Sequence, residues 1–345
     1  MKLEEFRKHF TETEPGSHRV IEHRDGMVEA VHNAHIAVVA PDGRILFSSG
    51  DPHHVTYTRS CIKPIQALPI LASGAVRHYG LTDEEIALVS GSHSGEPKHL
   101  EVLRSILEKG DIDSSLLKCG GHEPFDKEEA ARIGKDFTNL HDNCSGKHAG
   151  ALLLSKYKGW DLDSYLSPGH PLQGAIIEAI GSLTGLKRSG IHIGKDGCDI
   201  PNHAMPIDRM ARMFALLADP GEHPLAEHLL RIGNSMAAYP NMVAGRNRFD
   251  TVLMEDLKGR VISKAGAVGL QTIAVKLEDR WVGVSLKLED GAYAPIPPLT
   301  YHILKELGLE GGTEGKAEEF RLSPVRTRSK AVVGHIETIG RLRRH

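Results

Sequence analysis

Strand-like segments lie near both ends of this chain, and the long stretch between them has the pattern of helices. Residues 35–40 and 44–48 are rich in β-branched and apolar side chains and flank the turn sequence Pro41-Asp42-Gly43. Residues 270–288 repeat the arrangement around Glu278-Asp279-Arg280. A sheet that draws strands from both ends must bring distant parts of the chain together, which limits the fold to one sheet-based unit carrying a helical insertion.

The middle of the chain predicts a series of helices. Apolar residues recur at three- and four-residue spacing, as at Ile176, Ile180 and Leu183, and Pro171 suits a first helical turn. Pro69 should kink or split the first of these helices. The predicted helices are residues 63–78, 96–109, 127–135, 147–158, 171–184, 206–217 and 224–237.

These patterns together predict an α/β protein of the α+β kind, in one unit spanning residues 1–345. We expect a mainly antiparallel sheet from residues 29–60 and 260–295, and a mostly helical region at residues 61–259. Residues 1–28 are polar, and we expect them to be peripheral to the sheet.

Composition excludes several classes of function. The formal net charge of -3 argues against a nucleic-acid or membrane partner. No apolar run approaches the roughly 18 residues of a membrane span, and the charged N-terminus does not resemble a signal peptide. Four cysteines in 345 residues are too few for a disulfide scaffold, so we expect a cytoplasmic protein.

A Ser-x-x-Lys motif at Ser60 and Lys63 is the first candidate for chemistry. Residues three apart lie on one face of a helix, so the lysine amine can approach the serine hydroxyl. Pro64 places Ser60 near a helix N-terminus, whose N–H groups favour a developing oxyanion. The same spacing occurs in serine β-lactamases. Because it also arises by chance, an ordinary surface serine and lysine remain the alternative.

Two further segments carry candidate polar groups. Residues 89–96 are small and polar around Ser92, which allows a ligand to approach closely, although Ser94 as a simple helix cap is the alternative. Lys264 is followed by small residues just before the C-terminal hairpin, which resembles the Lys-Thr-Gly element of β-lactamases. Ala265 replaces the hydroxyl residue of that element, so a plain turn is the alternative there.

Cysteine and lysine side chains form a candidate zinc site. Cys144 and Cys198 can supply two thiolates, and Lys147 can supply a neutral amine, although lysine is an unusual zinc ligand. Two buried cysteines beside a loop are the alternative. The segment around Cys144 superficially resembles a phosphate-binding loop, but it lacks the first glycine and the Ser/Thr of that motif.

Taken in order, these segments resemble the L-asparaginase II family, which is unrelated to the threonine-nucleophile asparaginases. The resemblance covers about residues 36–284. The motifs are Arg-Ser-x-Ile-Lys-Pro at residues 59–64, Ser-x-Ser-His-x-Gly-Glu at 90–96, Cys-Gly-Gly-His-x-Pro at 119–124, Asn-Cys-Ser-Gly-Lys-His at 143–148, Asp-Gly-Cys at 196–198 and Pro-Asn-Met-Val-Ala-Gly at 240–245.

The resemblance implies a β-lactamase-like fold, a homodimer and the hydrolysis of L-asparagine to L-aspartate and ammonia. It implies two serine–lysine pairs in one pocket, Ser60 with Lys63 and Ser92 with Lys264. It also implies a zinc ion that helps to position substrate, with the ligands Cys144, Lys147 and Cys198. Arg59, His148 and Asp196 sit beside the matched catalytic and zinc-binding positions as candidate substrate-binding residues, or as structural partners.

The predicted reaction is attack by a serine, activated by a neutral lysine, to form an acyl-enzyme. Ser60 is favoured as the nucleophile because of its helix-terminal position, and Ser92 is the alternative. Two lysines in one pocket disfavour each other's charge, which helps each to act as a base. Competing hypotheses are a β-lactamase-like or glutaminase-like hydrolase of another amide, and a zinc-containing protein that binds an amino acid without turnover.

Overall fold

The computed structural model describes residues 1–11, 15–278 and 280–345, so Asp279 in the second predicted turn lies outside the described residues. The strands within these ranges are β1 (Ser17–Arg24), β2 (Met27–Val39), β3 (Ile45–Ser49), β4 (Val55–Tyr57), β5 (His192–Lys195), β6 (Pro201–Pro206), β7 (Val261–Gly266), β8 (Leu270–Leu277), β9 (Arg280–Leu288), β10 (Pro324–Arg326), β11 (Val332–Arg341) and β12 (Arg343–Arg344).

One large antiparallel sheet forms the centre of the fold. Its order is β10-β11-β1-β2-β9-β8-β7, with β3 beside the second half of β2 and β12 beside β3. The long strand β2 joins the two predicted strand regions, because Ala34 pairs with Leu288 and Val39 with Gly283 of β9. Strands β4, β6 and β5 form a separate small antiparallel sheet. The predicted class of mixed helices and antiparallel sheet is confirmed.

Helices surround the sheet. Within the described ranges they are α1 (Leu3–Thr11), α2 (Lys63–Ala72), α3 (Ala75–Tyr79), α4 (Asp83–Val89), α5 (Pro97–Lys109), α6 (Lys127–Ile133), α7 (Ser145–Lys158), α8 (Pro171–Thr184), α9 (Ile207–Ala218), α10 (Ala226–Ala238), α11 (Pro240–Val243), α12 (Phe249–Asp256), α13 (Ile296–Glu306) and α14 (Gly315–Leu322). None of these is both long and apolar enough to cross a membrane.

Alternation along β2 places its side chains in two separate cores. Ile36 and Val38 pack in the core beneath α12 and α13, whereas Ala37 and Val39 pack in the larger core of the helical region. Both sets are buried, as expected for successive side chains that point to opposite faces of a covered sheet. Close contact with α9 requires Gly283 in β9, because a Cβ there would lie 1.7 Å from the carbonyl oxygen of Ala211.

Two expectations about the sheet were wrong. Residues 1–28 are not all peripheral, because β1 lies between β2 and β11 and its Val20 and Ile21 are fully buried. The sheet also extends beyond the predicted segments to residues 324–344, while residues 55–57 join the small sheet instead. Polar residues such as Arg19 dominate β1, so its identity as an inner strand depends on distant pairing with β11 and not on local pattern.

The first predicted helix does divide, but not at Pro69. Pro69 lies inside α2, and the chain breaks between α2 and α3 at Ser73 and Gly74. Gly74 has φ 90°, a left-handed conformation that glycine adopts without the steric cost of a side chain. The position of the break therefore follows the glycine and not the proline.

Candidate active site

A cavity of about 340 Å³ brings together residues from distant parts of the chain. Ser60, Ser92 and Lys264, three of the four predicted catalytic residues, line it together with Asn143 and Asp250. A larger cavity of about 550 Å³ elsewhere is lined by none of the predicted residues. The smaller cavity is therefore the candidate active site, because it gathers hydroxyl, amine and carboxylate groups at one place.

Lys63 contacts this cavity through Ser92. Its side chain is 1% exposed, and its Nζ donates to Ser92 Oγ at 2.8 Å and to the carbonyl oxygen of Asn143 at 3.2 Å. Ser60 lies in a 3-10 turn, Arg59–Ile62, directly before α2, and its hydroxyl has no hydrogen-bond partner among the described residues. The hydrogen bond thus joins Lys63 to Ser92, whereas the sequence predicted pairs of Lys63 with Ser60 and of Lys264 with Ser92.

Lys264 lies in β7 and not in a plain turn, and it faces a carboxylate. Its Nζ is 3.8 Å from Asp250 Oδ2 and donates to the carbonyl oxygen of Ala265 at 2.8 Å. The pKa of Lys264 is lowered to about 8, chiefly by burial and in part by the nearby charge of Lys63, while Asp250 opposes the shift. A substantial fraction of Lys264 is therefore a neutral amine slightly above neutral pH, as a general base must be.

Asp250 is a buried residue that the sequence analysis did not identify. Its Oδ1 accepts hydrogen bonds from Ser263 Oγ at 2.7 Å and from Gln271 Nε2 at 2.8 Å, and its Oδ2 accepts from Ala265 N–H at 2.8 Å. These contacts hold the first turn of α12 against β7 and fix Lys264 beside the cavity. The acidic residue in the first turn of a helix was the one available signal.

The loop that carries Ser92 is held against the segment after α10. Ser92 N–H donates to the carbonyl oxygen of Val243 at 2.7 Å, and Ser94 Oγ donates to that of Ala244 at 2.7 Å. Side chains at Gly91 or Gly245 would collide with this packing, since a Cβ at Gly91 would lie 2.4 Å from the Met242 oxygen. Ser94 is therefore not a helix cap, and α5 begins after Glu96 instead.

The predicted substrate-binding residues do not line the cavity. Arg59, which has a left-handed φ of 46°, forms an ion pair with Asp196, with 2.9 Å between Nε and Oδ1. His148 is fully buried, and its Nδ1 lies 2.7 Å from the Tyr165 hydroxyl. Burial lowers the pKa of His148 well below its usual range. These contacts favour the structural role that the sequence left open for all three residues.

Arg248 and Phe125 line the cavity and were missed by sequence reasoning. The Arg248 guanidinium lies 4.8 Å from the centre of the Phe125 ring, a cation–π contact that braces it. Among the described residues, Arg248 forms no ion pair with a carboxylate. A cation braced at a cavity wall without an acidic partner is suited to bind an anionic group of a ligand. Neither residue belongs to a motif that marks it in the sequence.

The predicted zinc ligands lie together next to the cavity, because Cys144 directly follows Asn143, which lines it. Lys147 Nζ donates to Cys198 Sγ at 3.0 Å. Interaction with the neighbouring Cys144 lowers the pKa of Cys198 to about 5, and Lys147 contributes, while burial opposes the shift. The pKa of Cys144 rises to about 12 because of the same interaction and because the thiol is buried. Two sulfurs and an amine are a donor set that fits zinc.

A comparison with known protein families identifies the family of this chain. A sequence model of the L-asparaginase II family matches residues 20–338. The chain belongs to the L-asparaginase II family. As a member of that family it is an amidohydrolase. The comparison with curated proteins found no significant match.

Solved structures similar to this L-asparaginase II family member have low sequence identity. A Bacillus subtilis glutaminase complexed with 6-diazo-5-oxo-L-norleucine is 17% identical, with 80% of this chain and 84% of that chain covered, at a TM-score of 0.38. A Bacteroides dorei protein described as a candidate beta-lactamase is 12% identical, with 85% and 94% covered, at a TM-score of 0.40. At these TM-scores, neither structure supports a conclusion about the reaction that this chain catalyses.

Proposed function

We propose that this amidohydrolase converts L-asparagine to L-aspartate and ammonia through an acyl-enzyme. The family match supports hydrolysis of an amide, and the cavity supports the chemistry. The observation that carries the proposal is the convergence of Ser60, Ser92 and Lys264 on one cavity, with Lys63 hydrogen bonded to Ser92. Two hydroxyls and two buried amines are the groups that nucleophilic attack and proton transfer on an amide require.

Ser60 is the proposed nucleophile. Its hydroxyl lines the cavity without an internal hydrogen bond among the described residues, so it is free to meet the substrate. Ser60 Oγ attacks the side-chain amide carbon while the amine of Lys63, three positions along the chain, takes its proton. The C–N bond then breaks, and ammonia leaves after receiving a proton.

The Lys63–Ser92 hydrogen bond supplies the route for that proton. Lys63, now an ammonium, passes a proton to Ser92 Oγ, and the Ser92 hydroxyl passes its own proton to the leaving nitrogen. Water then attacks the Ser60 ester and releases L-aspartate. Lys264, with a pKa of about 8, is the candidate base for this water because Asp250 holds it at the same cavity.

Arg248 is the proposed anchor for the substrate. L-Asparagine carries a carboxylate besides the amide that reacts, and the guanidinium can hold it by paired hydrogen bonds. The support is its place in the cavity lining and its contact with Phe125. Anchoring the carboxylate at one wall would direct the side-chain amide toward the two serines.

Cys144, Lys147 and Cys198 are the residues that would hold zinc. When bound, zinc would supply a fixed positive charge close to the cavity. Its ligands connect to the wall through Asn143, whose Oδ1 accepts a hydrogen bond from Cys144 Sγ at 3.0 Å. Asn143 also accepts from Lys63, so this residue couples the thiol group to the proposed base.

The decisive experiment compares substrates and serine variants. Purified protein is assayed for ammonia release from L-asparagine and L-glutamine, and for cleavage of a chromogenic β-lactam. We expect turnover of L-asparagine, its loss in Ser60→Ala, and a slower but measurable rate in Ser92→Ala. Labelling with a diazoketone analogue of asparagine, followed by peptide mass spectrometry, should place the adduct on Ser60.

Several outcomes would contradict the proposal. Faster turnover of L-glutamine or of the β-lactam would show that this compound, and not L-asparagine, is the preferred substrate. An adduct on Ser92 would exchange the roles of the two serines. Binding of L-aspartate without turnover of any of the three compounds would identify an amino-acid-binding protein.

A further inference from the structure

Two histidines and a glutamate form a cluster outside the candidate active site. His18 comes from β1, and His302 and Glu306 lie one helical turn apart at the end of α13. One nitrogen of each imidazole and one carboxylate oxygen all lie within 4.8 Å of one another. The cluster shares no residue with the catalytic cavity or with the thiol group around Cys144.

The distances in the cluster are longer than hydrogen bonds. His18 Nε2 lies 3.5 Å from Glu306 Oε2, and His302 Nε2 lies 3.6 Å from Glu306 Oε1. N–H···O hydrogen bonds are mostly about 2.7–3.2 Å long. Two ligands at about 2.0–2.1 Å from a tetrahedral zinc ion are separated by roughly 3.4 Å. The observed spacing therefore suits ligands that share a small cation better than ligands that bond directly to each other.

Three imidazole nitrogens of this cluster form no hydrogen bond with any of the residues that the structure describes. The residue His18 is 2% exposed, yet neither of its ring nitrogens forms a hydrogen bond among the described residues. The same is true of Nε2 of His302, which is buried although the ring as a whole is partly exposed. A buried polar atom without a partner costs free energy, so unpaired nitrogens aimed at one carboxylate indicate a missing ligand.

The surroundings of Glu306 add a second reason. Glu306 is the last residue of α13, where the helix dipole is negative and disfavours a carboxylate. Its Oε2 accepts a hydrogen bond from Leu342 N–H at 3.0 Å, which fixes its orientation toward His18. Gly340, opposite His18 in β11, leaves space for the imidazole, because a Cβ there would lie 3.0 Å from His18 Cγ.

We propose that His18, His302 and Glu306 bind a divalent transition-metal ion, with zinc as the best match. Two imidazoles and one carboxylate suit zinc and do not suit calcium or magnesium, which prefer oxygen ligands. The ion would join the inner strand β1 to α13, and a water molecule would complete its coordination. His302 also lines a cavity of about 410 Å³, which gives the ion a path from solvent.

The test must separate this site from the thiol group. Metal-stripped full-length protein carrying Cys144→Ser and Cys198→Ser is titrated with zinc by calorimetry, and bound zinc is counted after dialysis. We expect one zinc per chain in this background. His302→Ala should weaken binding by roughly tenfold or more, as expected when a ligand is removed. His335→Ala is the matched control, because His335 lines the same cavity but is outside the cluster, and it should bind zinc normally.

Either of two results would overturn the proposal, namely no zinc binding in the cysteine-free background or equal binding by the His302→Ala and His335→Ala proteins. If the double cysteine variant does not fold, cobalt replaces zinc in the otherwise native chain. Cobalt at the thiol group gives a thiolate charge-transfer band, whereas cobalt on imidazole and carboxylate gives only weak d–d bands. The proposal then requires that His302→Ala removes d–d intensity without loss of the thiolate band, and an unchanged spectrum would overturn it.

Discussion

Lys63 Nζ donates to Ser92 Oγ at 2.8 Å, although Ser92 lies 29 residues further along the chain. The contact connects the first turn of α2 to the loop after α4. In the proposed reaction this bond carries a proton to the leaving ammonia, so the lysine serves both serines. Four lines of experiment follow from this arrangement and from the groups around it.

Replacing Lys63 with methionine should slow the reaction greatly. Methionine keeps the length of the buried side chain but removes both the base and the donor to Ser92, so we expect kcat to fall by about 10²–10⁴-fold. The control is Lys98→Met, an exposed lysine paired with Glu101, which should have no effect. Steady-state ammonia release gives kcat, and circular dichroism verifies the fold. A Lys63→Met protein with nearly normal kcat would remove Lys63 from the mechanism.

Activity should increase with pH as Lys264 loses its proton. Its pKa is lowered to about 8, and the neutral amine is the active form, so kcat, which includes hydrolysis of the acyl-enzyme, should rise through pH 8 and then level off. Asp250 raises this pKa by attraction, so Asp250→Asn should shift the acidic limb of the profile to lower pH. The measurement is kcat against pH for both proteins. An acidic limb that does not move would show that another group controls it.

Arg248→Leu should weaken substrate binding more than it slows the chemical step. Loss of a charged hydrogen bond to the substrate carboxylate should lower kcat/KM by about 10- to 100-fold, mostly through a higher KM. Arg246→Leu is the control, because the exposed Arg246 side chain forms ion pairs with Asp126 and Glu128 and not with the cavity. Equal kinetics for the two variants would exclude Arg248 as the anchor.

Zinc binding at the thiol group should release protons. Cys198 has a pKa of about 5 and is already a thiolate, whereas Cys144, with a pKa of about 12, keeps its proton. The neighbouring sulfurs also raise the pKa of Lys147 despite its burial, so its amine is protonated too. Zinc must displace both protons, and its affinity should rise by roughly 100-fold per pH unit near neutrality.

Calorimetry in buffers of different ionisation enthalpy measures this release. The titration uses the His302→Ala protein, so that zinc binding at the histidine cluster does not contribute to the measured heat. Cys119→Ser, which changes a buried cysteine outside the thiol group, is the control. About two protons per zinc are expected. Affinity that does not depend on pH would contradict the assigned protonation states.

The sequence predicted the local elements well and the distant pairings poorly. The helix at Pro171–Thr184 has the predicted bounds, because proline marks its start and apolar spacing marks its face. By contrast, β1 has few apolar residues, and its place inside the sheet depends on β11, more than 300 residues away. Local periodicity carries no information about such a partner.

The candidate active site shows the same difference between local motifs, which the sequence identified, and distant contacts, which it did not. The order and spacing of the motifs identified Ser60, Ser92 and Lys264 as candidate catalytic residues, and all three line one cavity. The partner of Lys63 could not be predicted, because a long flexible side chain can reach any hydroxyl that the fold places within range. Asp250 and Arg248 were missed because each acts through tertiary contacts and neither belongs to a recognisable motif.

The hydrogen bond between the Ser92 N–H and the Val243 carbonyl oxygen also affects when activity appears during folding. The two backbone groups that it joins lie far apart along the chain, and a side chain at either nearby glycine, Gly91 or Gly245, would collide with the packing around them. Contacts between residues this distant form late, after shorter loops have closed. Turnover should therefore appear in one late step of refolding, after most of the helical signal has already returned.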